Sequence, residues 1–268
     1  MSDPEKKFTA VVLAADRGPD DPVARAAGVR CKSMTPINGT PMVFRVLDAL
    51  TASSAVEAQI LCGPPRSILD MEPGLEERTR AENSRWVENR QTPSTSASHV
   101  FKSIPEQAPI LLTTADHAML SDRIIDYFCQ GARTSGCDVV VGIARHEMVT
   151  EAYPRTQRTA TRLQDGSYCG CNLFAFLTPR ARRAADVWRQ VESQRKKPLR
   201  VIRVLGVIAV LRYLMGRLSL PEALERMSRR LGFKAGAVIL PFAEAAIDVD
   251  SVQDWELVEE IVAEKERR

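Results

Sequence analysis

No uninterrupted hydrophobic run in this chain is long enough to cross a membrane. Its most apolar stretch, 199–218, is broken by Arg200, Arg203, Arg212 and Arg217. The longest charge-free part, 204–211, falls far short of the roughly 20 residues a spanning helix needs. The start, 1–7, is polar and charged and no apolar signal region follows a basic stretch, so we expect no secretory leader. Strong charge of either sign is also missing. The chain has 37 Lys and Arg against 34 Asp and Glu, a net charge of +3, too small an excess for a nucleic-acid footprint. The six cysteines are scattered, and Cys169 and Cys171 have neither zinc-knuckle nor redox-pair spacing. We therefore expect reduced cysteines and a cytoplasmic protein with no nucleic-acid partner. Internal repeats and low-complexity linkers are absent too. With 268 residues, 44% of them hydrophobic and 26% charged, the chain is an ordinary globular one with ample length for a core.

What is present is an alternation of strands and helices. Residues 8–15 (FTAVVLAA) form a Val-rich apolar run that ends in a polar Gly/Pro loop, the way a buried parallel strand enters a ligand loop. A helix is predicted over 41–50, with Pro41 in its first turn. Further strands are predicted at 55–62, 85–88 (weak), 109–114 and 137–144. A hydroxyl-rich helix start lies at 92–98, and a helix over 121–134 is capped by Ser121 or Asp122. This rhythm predicts a doubly wound, mainly parallel sheet with ligand loops at the carboxyl ends of its strands, after residues 15, 62 and 114. After 145 the pattern changes. Residues 148–170 are polar, 172–176 reads as a strand, and helical segments follow at 179–194, 199–215 and 220–231. A strand at 235–241 and a closing helix at 251–265, capped by Ser251 with Asp254 as its capping-box acid, complete the chain.

Several clusters carry chemistry. The loop after the first strand can present backbone N–H groups to phosphate oxygens. Lys32 beyond it can offset charge on a phosphate in the transition state, although loop plus lysine alone also describes an ordinary surface. Asp116, just past the apolar strand LLTT, is placed to hold Mg²⁺, which takes one or two carboxylates plus phosphate oxygens; its plainer reading is a turn or cap aspartate. His117 beside it reads as structural. Asp250, with Asp248 in reserve, sits in IDVDSVQD just before the last helix, where the helix dipole alone would favour a carboxylate. The Thr92–Ser98 hydroxyls, Ser96 and Ser98 among them, can face a ribose or base. Arg155, Arg158, Arg162 and Asn172 can grip a phosphorylated acceptor or belong to a solvated basic loop. The basic triplet Arg195, Lys196, Lys197 precedes the helix 199–215, whose apolar residues surround much of it. That suits a buried helix or a homo-oligomer interface, and also a peripheral membrane contact through 195–218 or shelter for a lipid-like acceptor.

LAADRG (Leu13, Ala14, Ala15, Asp16, Arg17, Gly18) followed by KSMTPINGTPM (Lys32, Pro36, Gly39, Pro41 and Met42) resembles the signature of MobA-like NTP transferases and sugar-phosphate nucleotidyltransferases. The ending DVDSVQD resembles that family's D-x-D-T-x-x-D-L. The resemblance is specific over 8–50, good to about 145, and weaker beyond. It implies a GT-A-like, Rossmann-like α/β fold in a single domain, 1–268, with a nucleotide-binding core at 8–145. An acceptor-side and helical insertion would occupy 146–234, and a closing strand and helix 235–268. It further implies a Mg²⁺-dependent enzyme that moves a nucleoside monophosphate from an NTP co-substrate to a phosphorylated small-molecule or lipid-linked acceptor. Lys32 and Asp116 would be catalytic and Asp116 and Asp250 the Mg²⁺ ligands. Residues 13–18, with Ser96 and Ser98, would hold the nucleotide. The sequence departs from the pattern at Asp16, where the family has glycine, and in a longer stretch between Gly18 and Lys32 that carries Arg25 and Arg30. An acid there can repel a triphosphate or bond to its own loop's amides. Two other readings stay open: a GT-A-type glycosyltransferase using Asp248 and Asp250, and a non-catalytic nucleotide-binding protein. The base of the NTP and the acceptor are unspecified.

Overall fold

A computed structural model describes residues 6–14, 20–192 and 206–267. Ten strands lie among them: β1 (Phe8–Leu13), β2 (Pro36–Ile37), β3 (Thr40–Pro41), β4 (Val56–Cys62), β5 (Ser84–Val87), β6 (Ile110–Thr114), β7 (Val139–Arg145), β8 (Thr161–Leu163), β9 (Gly166–Phe176) and β10 (Ala235–Leu240). Eight of these form one sheet in the order β10-β7-β9-β6-β1-β4-β5, with β8 paired to β9. β1 has all six residues buried and runs parallel to both β4 and β6. Its side chains alternate between two cores. Phe8, Ala10 and Val12 enter one, while Val11 and Leu13 enter the other. That is why the strand reads as an unbroken apolar run: both its faces are covered.

The helices that cover them are α1 (Pro22–Ala27), α2 (Met42–Ala52), α3 (Arg66–Leu69), α4 (Pro73–Thr79), α5 (Pro93–Phe101), α6 (Asp122–Thr134), α7 (His146–Ala152), α8 (Arg183–Glu192), α9 (Val207–Leu214), α10 (Leu220–Leu231) and α11 (Val252–Glu266). Buried residues of α2, α6 and α11, such as Val46, Phe128 and Val258, join the first core. Those of α5 and α8, such as Val100 and Ala185, join the second. This is the expected doubly wound α/β sheet. Leu13 pairs with Cys62 on one side and Thr114 on the other. The loops after β1, β4 and β6 therefore open at one edge, as the sequence predicts. Gly63 (φ +86°) follows β4 directly, and an added Cβ there would lie 2.7 Å from the Ala14 carbonyl oxygen. Only glycine lets these two loop entries approach so closely.

Three parts differ from the sequence reading. The strand expected at 172–176 is an eleven-residue strand antiparallel to both β6 and β7. Its polar first half pairs with β8 across the Gln164-Asp165 turn. Residues 148–170 are therefore not simply polar loop; they also contain α7, which was missed because it buries little beyond Val149 and has no side-chain cap. The helix expected over 199–215 is described only from 207. Gly206 precedes it at φ +86°, and Ala209 is its one buried residue. Val207, Ile208, Leu211, Leu214 and Met215 lie at the surface, so this part is not a core helix. No helix among the described residues is long and apolar enough to cross a membrane.

Candidate active site

Lys32 opens a one-turn 3-10 helix, Lys32–Met34. The β2–β3 hairpin follows, turning at Asn38 (φ +48°) and Gly39 (φ +79°). Asn-Gly is the dipeptide that best tolerates positive φ at both turn positions, so the NG of this motif shapes the backbone. The hairpin docks on the last helix: Trp255 Nε1 donates to the Pro36 carbonyl (2.8 Å), and the Asn38 N–H donates to Glu259 Oε1 (2.9 Å). Segments separated by 219 and 221 residues at these two bonds thus meet beside Lys32.

Asp116 follows β6. The Ala115 N–H donates to the Leu13 carbonyl (3.0 Å), and the Val249 N–H donates to the Asp116 carbonyl (3.0 Å). That second bond holds the segment 247–250 against the site. Ile247 and Val249 are buried in the core, and Asp250 precedes α11. There Ser251 and Asp254 form a reciprocal capping box, as expected from sequence.

These segments bring the three principal candidates together. Lys32 Nζ lies 2.7 Å from Asp116 Oδ2 and 3.1 Å from Asp250 Oδ1. The Lys32 side chain is 10% exposed, that of Asp116 21% and that of Asp250 56%. Burial alone would lower the Lys32 pKa, but attraction to Asp116 and then Asp250 outweighs it, and the net shift is upward. Burial pushes the Asp116 pKa up, and the Lys32 charge outweighs that too, for a net downward shift. Both partners are charged at neutral pH. The second carboxylate oxygen of Asp116, Oδ1, is buried with no hydrogen-bond partner, a polar atom that a bound cation would satisfy.

The other candidates fall in different places. Leu13 and Ala14 are buried, and the Ala14 N–H donates to the Cys62 carbonyl (2.9 Å). Ala15, Asp16, Arg17 and Gly18 lie outside the described residues. Thr92 caps α5 in a capping box with Thr95. Ser96 is buried, and its hydroxyl accepts from the Arg90 N–H (2.8 Å); Ser98, two residues along, is buried as well. Arg158 and Asn172 are not aimed at open space. Arg158 holds the Asp248 carboxylate and carbonyl, and Asn172 Nδ2 donates to the same carboxylate. Asp248, the reserve metal candidate, is thereby committed to a clamp rather than to the Lys32 cluster. Arg155 pairs with Glu260 at the surface. Sequence reading missed this clamp because its members are 90 and 76 residues apart and no spacing rule links them. The Asn-Gly hairpin, by contrast, was available as a signal.

His117 is fully buried, and burial holds its pKa at about 4. The folded ring is neutral, whereas an unfolded one takes a proton below about pH 6.5. Its contribution to stability is therefore complete above pH 6.5 and is lost as pH falls toward 4. The expected loss is about 3 kcal/mol. Urea unfolding at pH 7, 6, 5 and 4.5 measures it, and in His117→Gln this part of the slope should vanish.

A metal fits the cluster in one way. Among the described residues, no group of three or more His, Cys, Asp and Glu could hold an ion by themselves. Two carboxylates, one with a free buried oxygen, suit Mg²⁺, which completes its shell with water and phosphate oxygens. They do not suit zinc, which needs three or four protein ligands.

Comparison with known proteins agrees with this geometry. Residues 10–229 match the family model described as MobA-like NTP transferase domain. A hypothetical transferase from Thermus thermophilus superposes with a TM-score of 0.77 at 29% identity, covering 93% of this chain and 99% of its own. At 13% identity, 4-diphosphocytidyl-2C-methyl-D-erythritol synthase from Anaerococcus prevotii gives a TM-score of 0.60 over 96% of each chain. CMP:2-keto-3-deoxy-manno-octonic acid synthetase in complex with CTP gives 0.58 at 14% identity, over 97% of this chain and 99% of that one. These last two share the fold. No curated protein matches by sequence. With most of its length matched, and with this sheet and loop edge, the chain belongs to the MobA-like NTP transferase domain family, a family of nucleotidyltransferases.

Proposed function

We propose that this enzyme transfers a nucleoside monophosphate from an NTP to a phosphorylated acceptor, with Mg²⁺ and with release of pyrophosphate. The observation that supports it most is the Lys32 ammonium between Asp116 and Asp250 at the loop edge of the sheet. In this reading an acceptor phosphate oxygen attacks the α-phosphorus in line. A new P–O bond forms, the α–β P–O bond breaks, and pyrophosphate leaves. The Lys32 ammonium turns to the α-phosphate and offsets charge that grows in the transition state. Asp116 and Asp250 would hold the cation, and the backbone of Asp16 to Gly18 would cradle the leaving phosphates. Bound Mg²⁺ supplies Lewis-acid charge neutralisation on the phosphate oxygens. No general base is required, because a phosphate nucleophile is already ionised.

The glycosyltransferase reading needs Asp248 and Asp250 to act together, and Asp248 is taken up by Arg158 and Asn172. We place the enzyme in the cytoplasm, a compartment that keeps its six cysteines reduced. The test is pyrophosphate release with Mg²⁺, each of the four NTPs and a pooled panel of phosphorylated acceptors, sugar, polyol, pterin and lipid-linked. Release that needs one NTP and an acceptor is the expected result. NTP binding by calorimetry with no release from any acceptor would instead point to a nucleotide-binding protein without turnover.

A further inference from the structure

The arrangement of Lys32 has a consequence for how the metal arrives. Its ammonium is within hydrogen-bond distance of both carboxylates, 2.7 Å from Asp116 and 3.1 Å from Asp250. The Lys32 side chain is 10% exposed and sits on an Asp116 side chain that is itself largely buried. Leaving that carboxylate unpaired would be costly, and two neighbouring carboxylates repel each other. The lysine removes both penalties before any ligand is bound. Arg158, which holds the neighbouring segment, is bound to Asp248 and lies 4.0 Å from Asp254.

We propose that, in the nucleotide-free protein, the Lys32 ammonium stands in for the divalent cation on Asp116 and Asp250, so that the cation enters only together with the nucleotide. The inference rests on the reading of these two aspartates as the metal ligands. A divalent cation approaching the pair alone meets a positive charge within a few ångströms, already hydrogen-bonded to the oxygens it needs. A triphosphate changes this balance. Its anionic oxygens draw the ammonium away from the carboxylates and add ligands for the cation. Metal and nucleotide then strengthen each other's binding, and by linkage the factor is the same in both directions. Free Mg²⁺ alone would leave the site largely paired to lysine. The exchange also carries Lys32 from its resting partners to the α-phosphate at the moment the site becomes complete.

Mn²⁺ binding to the full chain, read by the EPR signal of free Mn²⁺ with no nucleotide present, tests this directly. The proteins are wild type, Lys32→Met, Lys32→Gln and the double variant Lys32→Met/Asp116→Asn, each checked for fold by circular dichroism and thermal melting. Lys32→Met and Lys32→Gln should bind Mn²⁺ about 10-fold or more tightly than wild type. The double variant should lose that gain. Wild-type binding as tight as in both folded Lys32 variants would overturn the exchange, as would a gain that survives removal of Asp116. NTP turnover with no difference in Mn²⁺ affinity removes the exchange and leaves nucleotidyl transfer standing. A gain in Lys32→Met in a protein inert toward every NTP does the reverse.

Discussion

Replacing Asp116 with asparagine is expected to lower kcat/KM for pyrophosphate release by about 10³-fold, while the protein stays folded. The substitution keeps the side chain's shape but removes the charge that meets Lys32 at 2.7 Å and turns one of the two carboxylate oxygens into an amide NH2, which cannot ligate a cation. A metal's share in stabilising transferring phosphoryl charge is several kcal/mol, and each 1.36 kcal/mol is about tenfold in rate. Lys32→Ala should act differently. Its charge is needed chiefly in the transition state, so kcat should fall about 10²–10³-fold with little change in the NTP's KM. Steady-state rates at several Mg²⁺ concentrations separate the two. Raising Mg²⁺ should partly rescue Asp116→Asn by mass action and should not rescue Lys32→Ala. Unchanged turnover in either variant would remove its assigned role.

Arg158→Ala is expected to cost about 3 kcal/mol of unfolding free energy. Arg158 and Asp248 are 12% and 15% exposed. Removing one partner of a largely buried pair leaves the other charge uncompensated, typically at 3–5 kcal/mol. For a chain of this size that corresponds to a melting temperature lower by roughly 10 °C. The double variant Arg158→Met/Asp248→Leu should recover most of the loss, because replacing both charges with apolar groups avoids the stranded carboxylate. Urea denaturation and calorimetry of the three proteins make the comparison. The clamp also fixes the segment that carries Asp250, whose neighbour Val249 is bonded to the Asp116 carbonyl. Arg158→Ala should therefore raise the Mg²⁺ concentration needed for half-maximal activity. If Arg158 gripped the acceptor instead, the acceptor's KM would rise and the Mg²⁺ dependence would not move.

How much of this was legible beforehand depends on the range of the interaction that decides each feature. The β1 run and the strand–helix rhythm to residue 145 follow from burial on two faces, a local pattern that hydropathy reports. Helix starts at Thr92, Ser121 and Ser251 follow from caps that span three residues. Lys32, Asp116 and Asp250 each stood out as candidates by resemblance to family motifs, and Asp116 also by its position after an apolar strand. Beyond 145 the reading weakened, and β8, α7 and the full length of β9 were lost. β9 is antiparallel between two strands far from it in sequence, so its polar first half is held by partners and not by its own pattern.

The sequence by itself therefore determined the family and the doubly wound core and singled out three charged candidates, because these are written in short-range periodicity and in motifs. Only the tertiary structure decided what those residues do to one another. Lys32 meets Asp116 across 84 residues and Asp250 across 218, through a hairpin docked on the last helix and one backbone bond from Val249. It also decided that Arg158 and Asn172 hold Asp248, and that the described part of the helix expected at 199–215 faces outward around Ala209. A side chain's partners depend on which distant segments fold against it, and the energy of a buried charge pair depends on the dielectric they create together.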